Sequence, residues 1–222
     1  MKRNLSELSD AYYGLNYHYE IFSLREDSKN LVESELKRIV KNRVVLDAGC
    51  GTGKYLYLFQ NITNELCGID ASNEQLEFAE KKVSKKVKLL CNDLEKINLP
   101  DNTFEVIYAT WVLGTITKVN KRNKVLKELK RVLKPNGVII LVENNIGGYF
   151  EEMRNRYPDI KKTKKYNNWV LKQGFKVLKE LDTEFKFKNK EEAYHTFKNI
   201  YGEEIAKKAK TTIEHKVIIY YL

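Results

Sequence analysis

A short apolar run that ends in a glycine-rich turn constrains the fold of this chain more than any other feature. Val44-Val45-Leu46 leads into Asp47, and Gly49, Gly51 and Gly53 follow closely. Glycine lets the backbone turn sharply and come close to a ligand. In open α/β sheets, a turn of this kind between a strand and a helix is where cofactors bind. The pattern therefore predicts a buried strand with a ligand site at its carboxyl end.

Further apolar runs alternate with helical patterns along the chain, which implies crossover connections and a parallel sheet. The helical patterns cover the stretch up to about residue 41 and residues 74–83 and 121–133. The runs predicted as strands are residues 66–69, 87–91, 104–108 and 137–142. Near the end, two more strands at 175–187 and 213–222 flank a helical pattern at 191–210 and could add an antiparallel edge.

Composition and length favour one folded domain. The chain has 222 residues, 42% of them hydrophobic, and we find no repeat or low-complexity linker. We expect a single domain over 1-222, with an N-terminal helical segment (1-41), a cofactor-binding core (42-145) and a sheet-completing segment (146-222). No apolar run approaches the roughly 20 residues of a spanning helix, and the start lacks the apolar core of a signal peptide. We therefore expect a cytoplasmic protein without membrane contact.

The net charge of +10 leaves two interpretations open. One is a nucleic-acid partner, and the other is a lysine-rich solvated surface. Lysines outnumber arginines and are scattered along the chain, which favours the second interpretation. The run Lys161–Tyr166 is the best candidate for an RNA contact, with Tyr157 and Trp169 nearby.

The three cysteines, Cys50, Cys67 and Cys91, lack the spacing of metal ligands. Each lies in or beside a stretch predicted to be buried. We expect reduced thiols that serve as small apolar side chains, and no metal site.

The residues around the glycine turn narrow the choice of ligand. A dinucleotide fingerprint requires a third glycine where this chain has Lys54, and a phosphate loop would require Ser or Thr where it has Tyr55. Asp47 would repel a pyrophosphate but would suit a ligand that carries an ammonium and a sulfonium. Asp70 ends the second strand, where an acid can accept from both ribose hydroxyls. The alternative for Asp70 is a plain helix cap ahead of Ser72.

Together these residues resemble the class I S-adenosylmethionine-dependent methyltransferases. The resemblance covers roughly residues 40–145 in the family's order: 46–53, 68–72, 92–94, 99–107 and 129–137. It implies an α/β fold with a Rossmann-like, doubly wound, seven-stranded sheet. That sheet would be mostly parallel with an antiparallel last strand, helices on both faces and an N-terminal helical lid. It also implies S-adenosyl-L-methionine as the cofactor and S-adenosyl-L-homocysteine as its product.

The resemblance also implies the residues that hold the cofactor. Asp47 and the glycines would hold its methionine end, Asp70 its ribose, and Asp93 with Leu94 its adenine. For Tyr13, a lid contact and plain helix packing are both open, and Gly53 could serve only close helix packing. The predicted cofactor-binding residues are Asp47, Gly49, Cys50, Gly51, Asp70, Ala71, Asp93, Leu94, Ala109 and Tyr13.

The acceptor of the methyl group is less constrained by the sequence. A sulfonium donor is already activated, so the protein mainly aligns the acceptor and excludes water, and a base is needed only if the acceptor must lose a proton. Glu143 and His18 are the candidates for such a base, although each could be structural. Trp111, Asn145 and Tyr149 are the candidates for substrate contacts.

Three functions remain open at this point. The first is methylation of a small molecule, and the second is methylation of RNA or protein. The third is a nicotinamide-binding oxidoreductase or a non-catalytic cofactor-binding module. An Asn/Asp-Pro-Pro-aromatic box is missing after the fourth strand, which argues against methylation of the exocyclic amines of bases.

Overall fold

A computed structural model of the chain describes residues 16–154 and 160–222. The helices are α1 (Asn16–Arg25), α2 (Leu31–Val40), α3 (Lys54–Phe59), α4 (Asn73–Glu80), α5 (Val119–Val132), α6 (Tyr149–Met153), α7 (Ile160–Lys172), α8 (Lys190–Tyr201) and α9 (Glu203–Ala206). The strands are β1 (Val44–Ala48), β2 (Glu65–Asp70), β3 (Lys88–Cys91), β4 (Phe104–Thr110), β5 (Leu133–Asn144), β6 (Lys176–Lys186) and β7 (Thr212–Tyr221).

The strands form one seven-stranded sheet in the order β3-β2-β1-β4-β5-β7-β6. The pairs β1–β2, β1–β4, β2–β3 and β4–β5 are parallel. Ile139 and Leu222 exchange two backbone hydrogen bonds of 3.0 Å, which is the pattern of an antiparallel pair. The predicted fold class, a mostly parallel sheet of seven strands with an antiparallel last strand, is therefore confirmed.

The described chain separates into two compact units. The core unit comprises Glu33–Glu143 and Tyr221–Leu222, and the flanking unit contains the described residues of the stretches up to Val32 and from Asn144 to Tyr220. The flanking unit has its own aromatic core. Its buried members include Phe22, Phe150, Met153, Phe185, Phe187, Phe197, Ile200 and Ile213.

In the core unit, the central strands are buried as a sheet covered on both faces requires. Leu46, Ile107 and Leu141 have no exposed surface. Strand β3 lies at the edge of the sheet, and its residue Cys91 is exposed while Cys50 and Cys67 are buried. The expected role of a small apolar core side chain therefore does not fit Cys91, because an edge strand is covered less completely than a central one.

Strand β5 begins earlier than the sequence predicts. The sequence predicts a helix that ends at about residue 133 and a strand that starts at residue 137, but β5 starts at Leu133. Phe104 pairs with Leu133 and Val106 pairs with Val138, so the extra residues form a bulge in β5. Asn136 has a φ of 65° there, a conformation that Asn tolerates better than most residues.

Arg131, in the last turn of α5, holds the loop that follows β3. Its guanidinium donates to the carbonyl oxygens of Ile97 (2.7 Å) and Leu99 (2.9 Å) and to the carboxylate of Asp101 (2.6 Å). Glu128 accepts from the same guanidinium at 2.8 Å and also accepts from the backbone amide of Ile97 at 2.9 Å. The Arg131 side chain therefore joins two separate sequence motifs, at 99–107 and 129–137, by donating hydrogen bonds to carbonyl oxygens of the loop.

We expect Arg131→Ala to lower the free energy of unfolding by about 1–3 kcal/mol, since it removes several charge-assisted hydrogen bonds. Arg131→Lys should recover only part of this loss, because an ammonium cannot match the fork of the guanidinium. Urea unfolding of the three proteins measures both effects. Equal stability of Arg131→Lys and the wild type would contradict a stabilising role for the guanidinium hydrogen bonds to the loop after β3.

Candidate functional site at the carboxyl edge of the sheet

The parallel register brings the carboxyl ends of the core strands to one edge of the sheet. Asp47 of β1 lies beside Gly68 of β2 and Tyr108 of β4, and Asp70 of β2 lies beside Cys91 of β3. Strands β2 and β4 flank β1, so the chain changes direction across the sheet at β1. Open α/β sheets bind ligands in the crevice at such a switch point. Asp47 and the glycine turn stand at that point.

The glycine turn has a backbone that larger residues cannot follow. Gly49, Gly51 and Gly53 have φ values of 80°, 52° and 79°. A Cβ on Gly49 would stand 2.5 Å from Val112, and one on Gly53 would stand 2.8 Å from the Cβ of Ala79. Gly53 thus permits close packing of α3 on α4, which supports the packing interpretation of this residue.

Asp47 is a buried acid with incomplete hydrogen bonding. The Tyr108 hydroxyl donates to its Oδ2 at 3.0 Å, while its Oδ1 has no hydrogen-bond partner among the described residues. The pKa of Asp47 is raised from 3.8 to about 8, mainly by burial; the hydrogen bond from Tyr108 acts against this rise, and the nearby charge of Asp70 adds to it. A cation bound at Oδ1 would relieve both the burial cost and the missing partner.

Asp70 organises the turn from the neighbouring strand. Its Oδ2 accepts from the amide of Gly51 at 2.8 Å, and its Oδ1 accepts from the amide of Ser72 at 2.9 Å. The N-cap of α4 is Ser72, whose hydroxyl accepts from the amide of Gln75. The helix-cap alternative for Asp70 is therefore wrong. Each carboxylate oxygen has about two acceptor positions, so Asp70 keeps capacity for a further hydroxyl donor.

The pKa of Asp70 is raised, as is that of Asp47, with burial as the main cause. Burial raises the pKa of Asp70, and the amides of Ser72, Gly51 and Ala71 lower it. The chain as a whole carries +10, yet this edge of the sheet concentrates two buried acids. Such a site disfavours pyrophosphate and favours a ligand with a positive charge and hydroxyl groups.

Two further residues of the turn, Thr52 and Cys50, are also buried. Thr52 is 1% exposed, and its Oγ1 has no hydrogen-bond partner within 16–154 or 160–222. Sequence reasoning did not single out Thr52, although its place between two turn glycines was a usable signal. Cys50 is buried, and burial followed by the charges of Asp47 and Asp70 raises the pKa of its thiol, so Cys50 is not suited to be a nucleophile.

The predicted adenine contacts lie in the loop after β3. Leu94 is buried, whereas the side chain of Asp93 is half exposed. Oδ1 of Asp93 accepts from the amide of Glu95 at 2.8 Å, and its Oδ2 lies 3.8 Å from the ammonium of Lys121. Ala71 is exposed and follows Asp70 directly. Asp93, Leu94 and Ala71 therefore belong to the same core unit as the glycine turn.

The segment after β4 completes this edge. Ala109 is fully buried, and Trp111 has a φ of 55°, which is rare for a bulky side chain and indicates local strain. The amide of Trp111 donates to the carbonyl oxygen of Val142 at 2.7 Å. Glu143 is 1% exposed and accepts from the amide of Gly114 at 3.1 Å. Glu143 therefore fastens the segment that presents Trp111.

The remaining predicted site residues lie in the flanking unit or outside the described residues. Burial and the charge of His195 lower the pKa of His18 on α1. Asn145 donates to Glu180 at 3.2 Å. The Tyr149 hydroxyl donates to the carbonyl oxygen of Lys208, and Tyr149 lines a cavity of about 450 Å³ in the flanking unit. Tyr13 lies outside the described residues.

Residues 16–154 and 160–222 contain no group of three His, Cys, Asp or Glu side chains placed to hold an ion.

A family model agrees with this arrangement. Residues 46–141 match a model described as a methyltransferase domain. The match starts within β1 and ends within β5. It therefore includes the glycine turn, Asp70, the loop after β3 and the segment after β4.

Curated relatives share this region. The chain is 31% identical over 151 residues to the sterol 4-C-methyltransferase strm-1 of Caenorhabditis elegans, which covers 63% of this chain and 44% of that protein. It is 26% identical over 203 residues to the malonyl-[acyl-carrier protein] O-methyltransferase of Buchnera aphidicola subsp. Baizongia pistaciae, covering 87% of this chain and 80% of the relative. The chain thus spans less than half the length of the sterol enzyme.

A solved structure shares the fold. A SAM-dependent methyltransferase from Aquifex aeolicus superposes with a TM-score of 0.60 at 21% sequence identity. The superposition covers 92% of this chain and 97% of that protein. At this identity the likeness supports the fold of both units, and the site rests on the geometry above.

We expect Asp47→Asn to stabilise the free protein, and more so at higher pH. The folded state holds the Asp47 proton up to about pH 8, whereas the unfolded chain releases it near pH 3.8, so stability falls as pH rises through this window. Asp47→Asn has no proton to release, so its stability does not fall in this pH window. If the buried charge costs about 2 kcal/mol, the Tm at pH 8 should rise by roughly 4–8 °C.

Thermal unfolding at pH 5 and pH 8 measures this effect. Glu80→Gln, at an exposed residue that ends α4, is the matched control and should leave the difference between the two pH values unchanged. An Asp47→Asn effect of the same size at both pH values would show that Asp47 is ionised in the folded protein.

Proposed function

We propose that the chain is a methyltransferase that uses S-adenosylmethionine as its methyl donor, in line with the match of residues 46–141 to a methyltransferase-domain model. The observation that carries the proposal is Asp47, a buried acid with a raised pKa and an oxygen that lacks a partner among the described residues. Asp70 stands beside it, with a free acceptor position where the ribose would lie.

The chain's own groups have distinct tasks in this proposal. Asp47 accepts hydrogen bonds from the cationic methionine end of the cofactor, which Thr52 also borders. The glycine turn leaves space for this end of the cofactor. Asp70 accepts from a ribose hydroxyl, and Leu94 packs against the adenine. When bound, S-adenosylmethionine supplies a methyl group on a sulfonium, with a neutral thioether as the leaving group.

The nicotinamide-binding alternative fits this site poorly. Asp47 is 1% exposed and stands where a dinucleotide would place its pyrophosphate. Helix α3 begins at Lys54, the position that would need the third glycine of the fingerprint. An anionic ligand would have to approach two buried acids.

We propose a small molecule as the methyl acceptor. The two relatives named above are described as acting on a sterol and on malonyl-[acyl-carrier protein], and the transfer of that class to this chain is an inference. The segment from Trp111 to Gly114 would face the acceptor, because it follows β4 at the same edge as the glycine turn. The strained backbone of Trp111 would fix the direction of its ring.

Glu143 acts in this account as a positioning residue. It accepts from the amide of Gly114 and is buried at the end of β5. By holding Gly114 it keeps the segment after β4 in place. A proton-accepting role is the alternative, and the two roles differ in what a Gln substitution does.

We propose a cytoplasmic location on the ground of the cysteines. All three cysteines are free, which is typical of a reducing compartment. As a separate finding, none of the described helices is long and apolar enough to cross a membrane.

Calorimetric titration with S-adenosylhomocysteine, with NAD in parallel, tests the proposed cofactor. We expect micromolar binding of S-adenosylhomocysteine and none of NAD. Asp70→Ala should weaken binding roughly 10- to 100-fold, since a hydrogen bond to a charged group is lost. Glu80→Gln, an exposed acid at the end of α4, should bind like the wild type. Binding of NAD in place of S-adenosylhomocysteine would refute the proposal.

Substitution of Glu143 separates its two possible roles. Glu143→Gln keeps an oxygen that can accept from Gly114, so we expect kcat to stay within a few-fold and its pH profile to stay unchanged. Glu143→Ala releases the segment, and KM for the acceptor should rise about tenfold. Loss of kcat in the Gln variant, together with a lost pH-dependent limb, would instead identify Glu143 as the base.

A further inference from the structure

A basic corner of the flanking unit has no part in the site described above. We define the basic corner as the exposed residues from 164 to 179, at the end of α7 and the start of β6. The sequence from Ile160 to Lys179 contains seven lysines and no Asp, Glu or Arg. A stretch this long without a single carboxylate stands out in a chain that otherwise mixes both signs of charge.

Helix α7 gathers much of this charge on one face. Lys164, Lys165, Asn168, Leu171 and Lys172 are exposed, at spacings of three, four, seven and eight residues. The opposite face of α7 is buried. Within the described part of the chain, Lys164, Lys165 and Lys172 take part in no ion pair, nor does Lys176 at the start of β6. This charge is therefore available to an anionic partner.

Exposed aliphatic side chains stand among these lysines. Leu171, Val177 and Leu178 are 45%, 44% and 41% exposed. Gly174 lies between them in the sequence, has a φ of 94° and donates its amide hydrogen to the carbonyl oxygen of Leu171. The end of α7 and the start of β6 are therefore joined by a short turn through this glycine. Clustered exposed apolar residues of this kind mark interaction sites.

We propose that the basic corner binds the surface of an anionic lipid membrane. Lysine ammoniums are attracted to anionic headgroups, and aliphatic side chains beside them can insert at the boundary of the acyl chains. This surface contact needs no spanning helix. It departs from the expectation, drawn from the sequence, that the chain has no membrane contact.

The same residues fit RNA less well. Single-stranded RNA is bound by exposed aromatic rings and arginines. Here Tyr166 is 8% exposed and stacks on Trp169, with ring centroids 5.9 Å apart. The exposed apolar residues of the corner are aliphatic, and residues 160–179 contain no arginine. The predicted RNA contact at Lys161–Tyr166 is therefore not the interpretation that we favour.

Co-sedimentation with vesicles tests the proposal and needs no methyl acceptor. The wild type should bind vesicles of phosphatidylcholine and phosphatidylglycerol and should not bind phosphatidylcholine alone. High salt should release it, since exposed charges are screened. The Lys164→Ala/Lys165→Ala pair should weaken binding roughly tenfold or more. Leu171→Ser/Leu178→Ser should weaken it as well, because apolar insertion is lost.

Two control variants make the same kinds of substitution at exposed residues outside the basic corner. Lys85→Ala/Lys86→Ala removes an exposed lysine pair between α4 and β3, and Val119→Ser removes an exposed apolar residue at the start of α5. Both should bind vesicles like the wild type, and every variant should unfold at the wild-type temperature. If Lys85→Ala/Lys86→Ala weakened vesicle binding as much as Lys164→Ala/Lys165→Ala does, the binding would depend only on net charge and the proposal for the basic corner would be wrong. Binding of a single-stranded RNA oligonucleotide without vesicle binding would overturn the proposal in favour of RNA.

Discussion

The contact between Asp47 and Tyr108 is the constraint on which the site depends. It places a carboxylate at the centre of a parallel sheet, with one oxygen satisfied by a buried hydroxyl and the other without a partner among the described residues. A charge in such a place is costly unless something cationic compensates it. The glycine turn, the amide contacts of Asp70 and the segment after β4 all stand around this one group. In the proposed function, binding of a cationic ligand compensates for the stability that the buried acid costs.

Most of the fold could be predicted because its elements have strong local signals. The strands around Leu46 and Ile107 are short apolar runs, and α5 has a continuous apolar stripe. The start of β5 could not be predicted, since a Pro-Asn-Gly sequence normally ends an element and only pairing with β4 shows that it forms a bulge. The exposure of Cys91 likewise depends on which strand lies at the edge of the sheet, a property of the whole topology.

The sequence predicts the main acids of the candidate site but not their hydrogen-bond partners. Asp47 and Asp70 could be predicted because each ends an apolar run in the sequence. Their partners could not: Tyr108 is distant in sequence from Asp47, and Ser72 takes the cap that Asp70 could have supplied. Residues that face the acceptor are the least predictable, because a sulfonium donor places few chemical demands on the protein. The position of Glu143 against Gly114 emerges only from the folded chain.

The measurement that tests the central claim most directly is the proton balance of cofactor binding. At pH 6.5, the heat of S-adenosylmethionine binding in two buffers of different ionisation enthalpy gives the number of protons released. An α-amino group is protonated at this pH, so release would come from Asp47, whose pKa of about 8 falls when a cation binds. We predict release approaching one proton, and none from Asp47→Asn, with weaker binding by that variant. Binding without proton release, unchanged in the variant, would contradict the account.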